Sequence, residues 1–174
     1  DTGGVGIDHF SCSTDKSDFV TCTSPYKIPQ SFKDGIHTFS VISEDKVGNK
    51  DPTPASLSWT VDTVAPSTRI DSATDGNKSS LINGGNSSSN SAIITFSGLD
   101  SGGNTGKGVG INHFECSLDG AAFSNCSAPL KINKLKDGTH IIELRSSDNV
   151  DNKDPTPASL SWTVDTAAPS TSIT

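Results

Sequence analysis

A long internal repeat constrains this chain more than any other feature. The stretch GVGIDHFSCS at 4–13 returns as GVGINHFECS at 108–117, and NKDPTPASLSWTVDT at 49–63 returns unchanged at 152–166. The offset is 104 residues at the first landmark and 103 at the second, so one residue is lost between them, around 29–31 and opposite Asn133. A period of this length is too long for a solenoid and matches a whole small sandwich domain. The repeat also has a phase. APSTRI at 65–70 and APSTSI at 168–173 both follow WTVDT, and each opens a new unit. Residues 66–167 therefore read as one complete repeat, 1–65 as the C-terminal part of a first repeat lacking its opening strands, and 168–174 as the first strand of a third.

Short half-alternating runs, separated by turn residues every ten or so positions, read as strands, and no run at helical period competes with them. In the complete unit strands are expected near 68–72, 92–99, 111–118, around Cys126, at 130–133, at 139–147 and at 159–164. Alternation puts His140, Ile142 and Leu144 on one face and Leu160, Trp162 and Val164 on another. With Ile94, Phe96 and Phe114 these form the expected core. The first unit places Phe10, His37, Phe39, Val41, Leu57, Trp59 and Val61 at the same positions. The fold class is all-β: tandem immunoglobulin-like β-sandwich domains. Only 31% of the residues are hydrophobic, which suits thin sandwiches whose strands each turn one face to solvent.

The repeated pattern FxCSxDxxxFxxCxxP, then LxDGxH, then DxxxNxDPTPAxxxWTVDTxAP, resembles the immunoglobulin-like repeats of very large bacterial and archaeal cell-surface proteins. The first unit departs from it at Phe32, where the second has Leu135. The resemblance implies an extracellular, beads-on-a-string architecture and no particular ligand.

The four cysteines fall as Cys12 with Cys22 and Cys116 with Cys126, each pair ten positions apart around a turn. Disulfides within each repeat are the economical reading, and they imply an oxidising compartment. Zinc is the competing reading. A four-cysteine site would have to join separate domains, and no CxxC spacing exists.

The net charge of −7 argues against nucleic acid or an anionic membrane as partner, since both are bound through clustered Lys and Arg. No apolar run approaches the roughly 18 residues that span a bilayer. The expected partners are neighbouring repeats of the same chain and other copies in a filament. Divalent cations, or a plain need for solubility, fit the charge better. Asp62 lies in the linker, Asp100 before the glycine-rich loop, and Asp148, Asn152 and Asp154 in SDNVDNKD. In the immunoglobulin topology these positions belong to one end of the domain, where hard oxygen ligands suit Ca2+. Similar surface repeats use calcium at such junctions, and the resemblance carries that role onto these residues. Asp45, Asn49 and Asp51 are their counterparts one repeat earlier, and Asp165 their counterpart at the next linker. The alternative is that Asp and Asn simply build turns here.

The Ser/Asn/Gly-rich stretch DSATDGNKSSLINGGNSSSNS reads as a surface loop. It carries sequons at Asn77 and Asn86, and a third sits at Asn125, all three being candidate glycosylation sites. His37 and His140 occupy the place of a tyrosine corner, where a ring can hydrogen-bond back to the chain. His9 and His113 read as strand-face residues. No nucleophile elbow, HExxH, phosphate loop or catalytic carboxylate pair occurs, so no enzyme is expected. Function is expected to be that of an extracellular spacer in a stalk, adhesin shaft or filament. The rivals are a loop-mediated carbohydrate- or protein-binding module, an accessory domain of a secreted enzyme, and a subunit that donates a strand to its neighbour.

Overall fold

The computed structural model describes residues 4–28, 31–102 and 108–173. The one-residue difference around 29–31 lies largely outside these, as do residues 103–107 of the glycine-rich loop. The chain divides into two compact units, Asp1–Asp62 and Thr63–Thr174. All regular elements among the described residues are strands, and no helix is long and apolar enough to cross a membrane.

The second unit holds two sheets. One has the order β10-β7-β5, from β5 (Ser67–Asp75), β7 (Ala92–Leu99) and β10 (Leu130–Ile132). The other has the order β6-β12-β11-β8-β9, from β6 (Gly85–Ser87), β8 (Ile111–Leu118), β9 (Ser124–Cys126), β11 (Gly138–Asp148) and β12 (Ala158–Val164). Period-two alternation explains the layering. Ala92, Ile94 and Phe96 of β7 face Ile142, Leu144, Leu160, Trp162 and Val164 of the opposite sheet, and all are buried in one cluster. Phe114 is only half-buried, and it meets Phe96 edge-on with ring centroids 5.1 Å apart. At one end a polar contact ties the layers: the Ser146 amide donates to Thr68 Oγ1 over 2.8 Å.

Two expectations change here. The stretch read as a surface loop supplies β6, which pairs in parallel with β12 through Trp162↔Gly85 and Val164↔Ser87. Leu81 of the same stretch is buried in the core, and its amide donates to the Ala73 carbonyl. The first strand also runs on to Asp75. A bulge between Ile70 and Ser72 resets its alternation, so both Ile70 and Ala73 reach the core.

The first unit is one sheet, β2-β1-β3-β4, built from β1 (Ile7–Thr14), β2 (Val20–Cys22), β3 (Gly35–Asp45) and β4 (Ala55–Val61). Its registers reproduce those of the second unit: His37↔Trp59 here, His140↔Trp162 there. The expected first-unit core is not buried. Leu57 is 63% exposed and Phe10 42%, whereas Phe39, Val41, Trp59 and Val61 are half-buried. Among the described residues of this unit, no strand equivalent to β5 or β7 lies over that face. Residues 168–173, expected to be a first strand, join no ladder in this structure.

Candidate functional site

Each repeat carries a clamp at the start of its long strand, assembled from a turn and a histidine. In the second unit Asp119 and Gly120 follow β8 with φ of 53° and 76°, and the Ala121 amide closes the turn on the Leu118 carbonyl. Both central residues have positive φ, the twist that matches a hairpin. The turn aims the Asp119 carboxylate at β11. There Oδ1 accepts from the Ile141 amide at 2.9 Å and Oδ2 from His140 Nδ1 at 2.8 Å, while His140 Nε2 donates to the Lys136 carbonyl at 2.8 Å. A carboxylate and a carbonyl only accept, so the arrangement is satisfied in full by the imidazolium. Burial lowers the His140 pKa, but the Lys136 and Asp119 hydrogen bonds outweigh it and hold the value above the ordinary one. Asp119 is pushed up by desolvation and further down by His140 and the Ile141 amide, ending below its usual range. The first unit repeats the clamp, with His37 Nδ1 2.8 Å from Asp15 Oδ2, Nε2 2.7 Å from the Lys33 carbonyl, and the Thr38 amide on Asp15 Oδ1.

Sequence reasoning gave the histidine its corner role and missed the aspartate. The signal was present. Asp15 and Asp119 are the fixed D of the FxCSxD pattern.

The cysteines form two bridges. Cys12 bonds Cys22 and Cys116 bonds Cys126, with Cα separations of 5.8 and 5.9 Å, and no free cysteine remains. Each bridge ties a three-residue edge strand to its neighbour, β2 to β1 and β9 to β8. Closing so short a loop is worth about 2–3 kcal/mol.

A third device recurs at strand ends. Asp148 Oδ1 accepts from the amides of Val150 and Asn152, both at 2.9 Å, and Oδ2 accepts from Asn152 Nδ2 at 2.8 Å. Asp45 does the same with Val47 and Asn49. Asp75 binds the amides of Asn77 and Ser79 and the Ser87 hydroxyl. These aspartates build the turns that follow their strands, as the turn reading of the acidic residues held.

Of the residues expected to bind calcium, the second unit brings two together: carboxylate oxygens of Asp100 and Asp148 lie within 4.8 Å. Asp100 also accepts from the Gly110 amide at 2.7 Å. The Asn152 side chain gives its NH2 group to Asp148. Asp154 turns Oδ1 to the amide and hydroxyl of Thr156, while its Oδ2 is buried without a hydrogen-bond partner. Asp62 is half-buried and ends the first unit, and Asp51 caps Thr53 in a turn like that of Asp154. Asp165 Oδ1 accepts from the Ala167 amide. The sequon residues Asn77, Asn86 and Asn125 are all exposed, as a glycan requires. His9 sits 3.0 Å from Asp8 and 3.6 Å from Glu44 on an accessible strand face.

The three-stranded β10-β7-β5 layer against β12-β11-β8-β9 is the E-B-A against G-F-C-C′ arrangement of an immunoglobulin-like β-sandwich. No protein-family model and no curated protein sequence matches the chain. A solved structure of the fibronectin(III)-like modules of Clostridium thermocellum CbhA aligns with a TM-score of 0.44 at 17% identity, covering 92% of this chain and 79% of that one. The fold assignment rests on the sheet order of the second unit itself. Two disulfides in a chain of this size belong to oxidising, extracytoplasmic conditions.

Proposed function

We propose that the chain is a structural module of an extracellular surface protein, a spacer made of immunoglobulin-like repeats in series. One observation carries this reading: what the two repeats share is scaffold. The bridge, the histidine clamp, the aspartate turn and the DPTPASLSWTVDT strand recur, down to hydrogen-bond partners that correspond position by position. Recognition loops diversify between copies, whereas this segment following the aspartate turn is unchanged. A ligand-binding module would invert that pattern.

Calcium is part of the proposal. The close carboxylates of Asp100 and Asp148, and a buried carboxylate oxygen of Asp154 without a hydrogen-bond partner among the described residues, are hard donors of the kind calcium takes.

Solution scattering on the chain, first with calcium and then with chelator, tests both parts. A spacer gives an elongated particle, and a compact globular profile overturns the reading. Calcium should raise the melting temperature, and an Asp100→Ala, Asp148→Ala variant should lose that response. If the wild type ignores the metal, calcium leaves the proposal and the spacer stands on packing alone.

A further inference from the structure

The chain has one Asn-Gly pair, Asn83-Gly84, in the connection that leads from β5 into β6. The pair is the middle of a four-residue turn in which the Gly85 amide donates to the Ile82 carbonyl over 2.9 Å. Gly84 has a φ of 76°, so the turn demands glycine there. That demand has a chemical side effect. A residue without a side chain leaves its own amide nitrogen unhindered on approach to the preceding asparagine, and Asn83 is exposed.

Strand β12 holds both of the groups that would react. The Gly84 amide donates to the Ser161 carbonyl over 2.8 Å, and Asn83 Oδ1 accepts from the Ser161 amide at 3.0 Å. These two bonds continue the parallel ladder that pairs Gly85 with Trp162 and Ser87 with Val164, and the Asn83 side chain stands in it for a backbone carbonyl. An amide whose proton is committed to a carbonyl is a poor nucleophile, and an anchored carboxamide cannot swing toward it. Leu81, buried in the core, fixes the chain just ahead of the turn.

We propose that Asn83 is a self-modification site gated by the β6–β12 ladder: the closed ladder protects the asparagine, and the open ladder lets it deamidate. In the reaction the Gly84 nitrogen gives its proton to hydroxide and bonds to Asn83 Cγ. The bond from Cγ to the side-chain nitrogen breaks, and ammonia leaves with a proton taken from water. Water then opens the succinimide at either carbonyl to give aspartate or isoaspartate, so the net change is uptake of one water and loss of one ammonia. Isoaspartate adds a methylene to the backbone ahead of Gly84, and the Gly84 amide no longer falls opposite the Ser161 carbonyl. A ladder that stays open long enough is thereby kept from closing in its old register.

The test is peptide mapping by mass spectrometry of the full 174-residue chain held at mildly alkaline pH, natively and in unfolding urea, beside hydrogen–deuterium exchange of the Gly84 amide. Deamidation of Asn83 should be at least about tenfold slower in the native chain than in urea, as a protected amide requires. Leu81→Ala, or Leu81→Val if circular dichroism shows the first variant unfolded, should speed Gly84 exchange and Asn83 deamidation by the same factor. Chains that carry isoaspartate at position 83 should lose protection at Gly84 while the rest of the second unit keeps it. Equal deamidation in native and urea-unfolded chains overturns the proposal. So does faster Gly84 exchange without faster deamidation, or full Gly84 protection in the isoaspartate chains.

Discussion

Removing the His140 ring tests the clamp through both stability and pH. His140→Ala deletes two hydrogen bonds, one of them to a carboxylate, and leaves Asp119 holding only the Ile141 amide. A neutral hydrogen bond nets about 0.5–1.5 kcal/mol and one to a charged group about 1.5–3, together about 2–4.5; because the Asp119 side chain is 43% exposed, the lower end, about 2 kcal/mol, is expected. With an m-value near 1.5 kcal/mol/M the urea midpoint of the second unit should fall by roughly 1.3 M. Each unit has one tryptophan, Trp59 or Trp162, so a Trp59→Phe background lets fluorescence report the second unit alone. The pH dependence has a definite sign. The His140 pKa is raised above 6.5, so its contribution is complete below that value and lost as pH rises through the folded pKa. The Asp119 pKa is lowered below 3.8, so its contribution is present above that value and lost as pH falls through the folded pKa. The difference in midpoint between wild type and His140→Ala should therefore be widest between about pH 4 and 6.5 and shrink toward pH 9. A difference that stays flat from pH 5 to 9 refutes the imidazolium assignment. A double-mutant cycle with Asp119→Asn that shows no coupling refutes the clamp.

The repeat supplies a second experiment with its own control. Leu160→Ala should cost about 2–4 kcal/mol in the second unit, whereas Leu57→Ala should stay within about 0.5 kcal/mol; equal effects would contradict the burial difference. Replacing Cys116 and Cys126 with Ser should destabilise the second unit by about 2–3 kcal/mol, and unreduced digests should show Cys12 linked to Cys22 and Cys116 to Cys126. A cross-repeat link by mass spectrometry would remove the bridge assignment.

Much of the second unit was legible because its strands obey simple alternation. Strands β7 and β8 fall on the expected residues, and His140, Ile142, Leu144, Trp162 and Val164 are inward as their period requires. The strand β6 was not legible. Three residues, Gly-Asn-Ser, carry no apolar alternation, and their partner in β12 lies far along the chain. Leu81 was the available clue, a buried leucine in a polar run. The bulge at Ile70/Ser72 hid the second half of β5 for a related reason, since it breaks the period by which strands are read. The acidic residues were ambiguous in a different way. An aspartate followed by Asn four residues on can bind its own turn or a cation, and the sequence is the same in both cases. Exposure in the first unit was beyond reach of residue pattern altogether, because burial of Leu57 or Leu160 depends on the opposite sheet and not on the strand that carries it.

The parallel pairing of β6 with β12 has a mechanical consequence. Tension along the chain enters the second unit near Ser67 and leaves near Asp165, so once β5 has yielded, the pull slides β6 and β12 past each other in opposite directions along their length. A shear of that kind loads the bonds of the ladder together, including Asp165 amide to Ser87 carbonyl and Gly84 amide to Ser161 carbonyl, instead of opening them one at a time. When the ladder does give way, the Cys116–Cys126 bridge keeps the segment between the two cysteines from unspooling. Under such a load the unit would act as a latch with a stop, holding until several bonds break at once and then lengthening by less than its full contour.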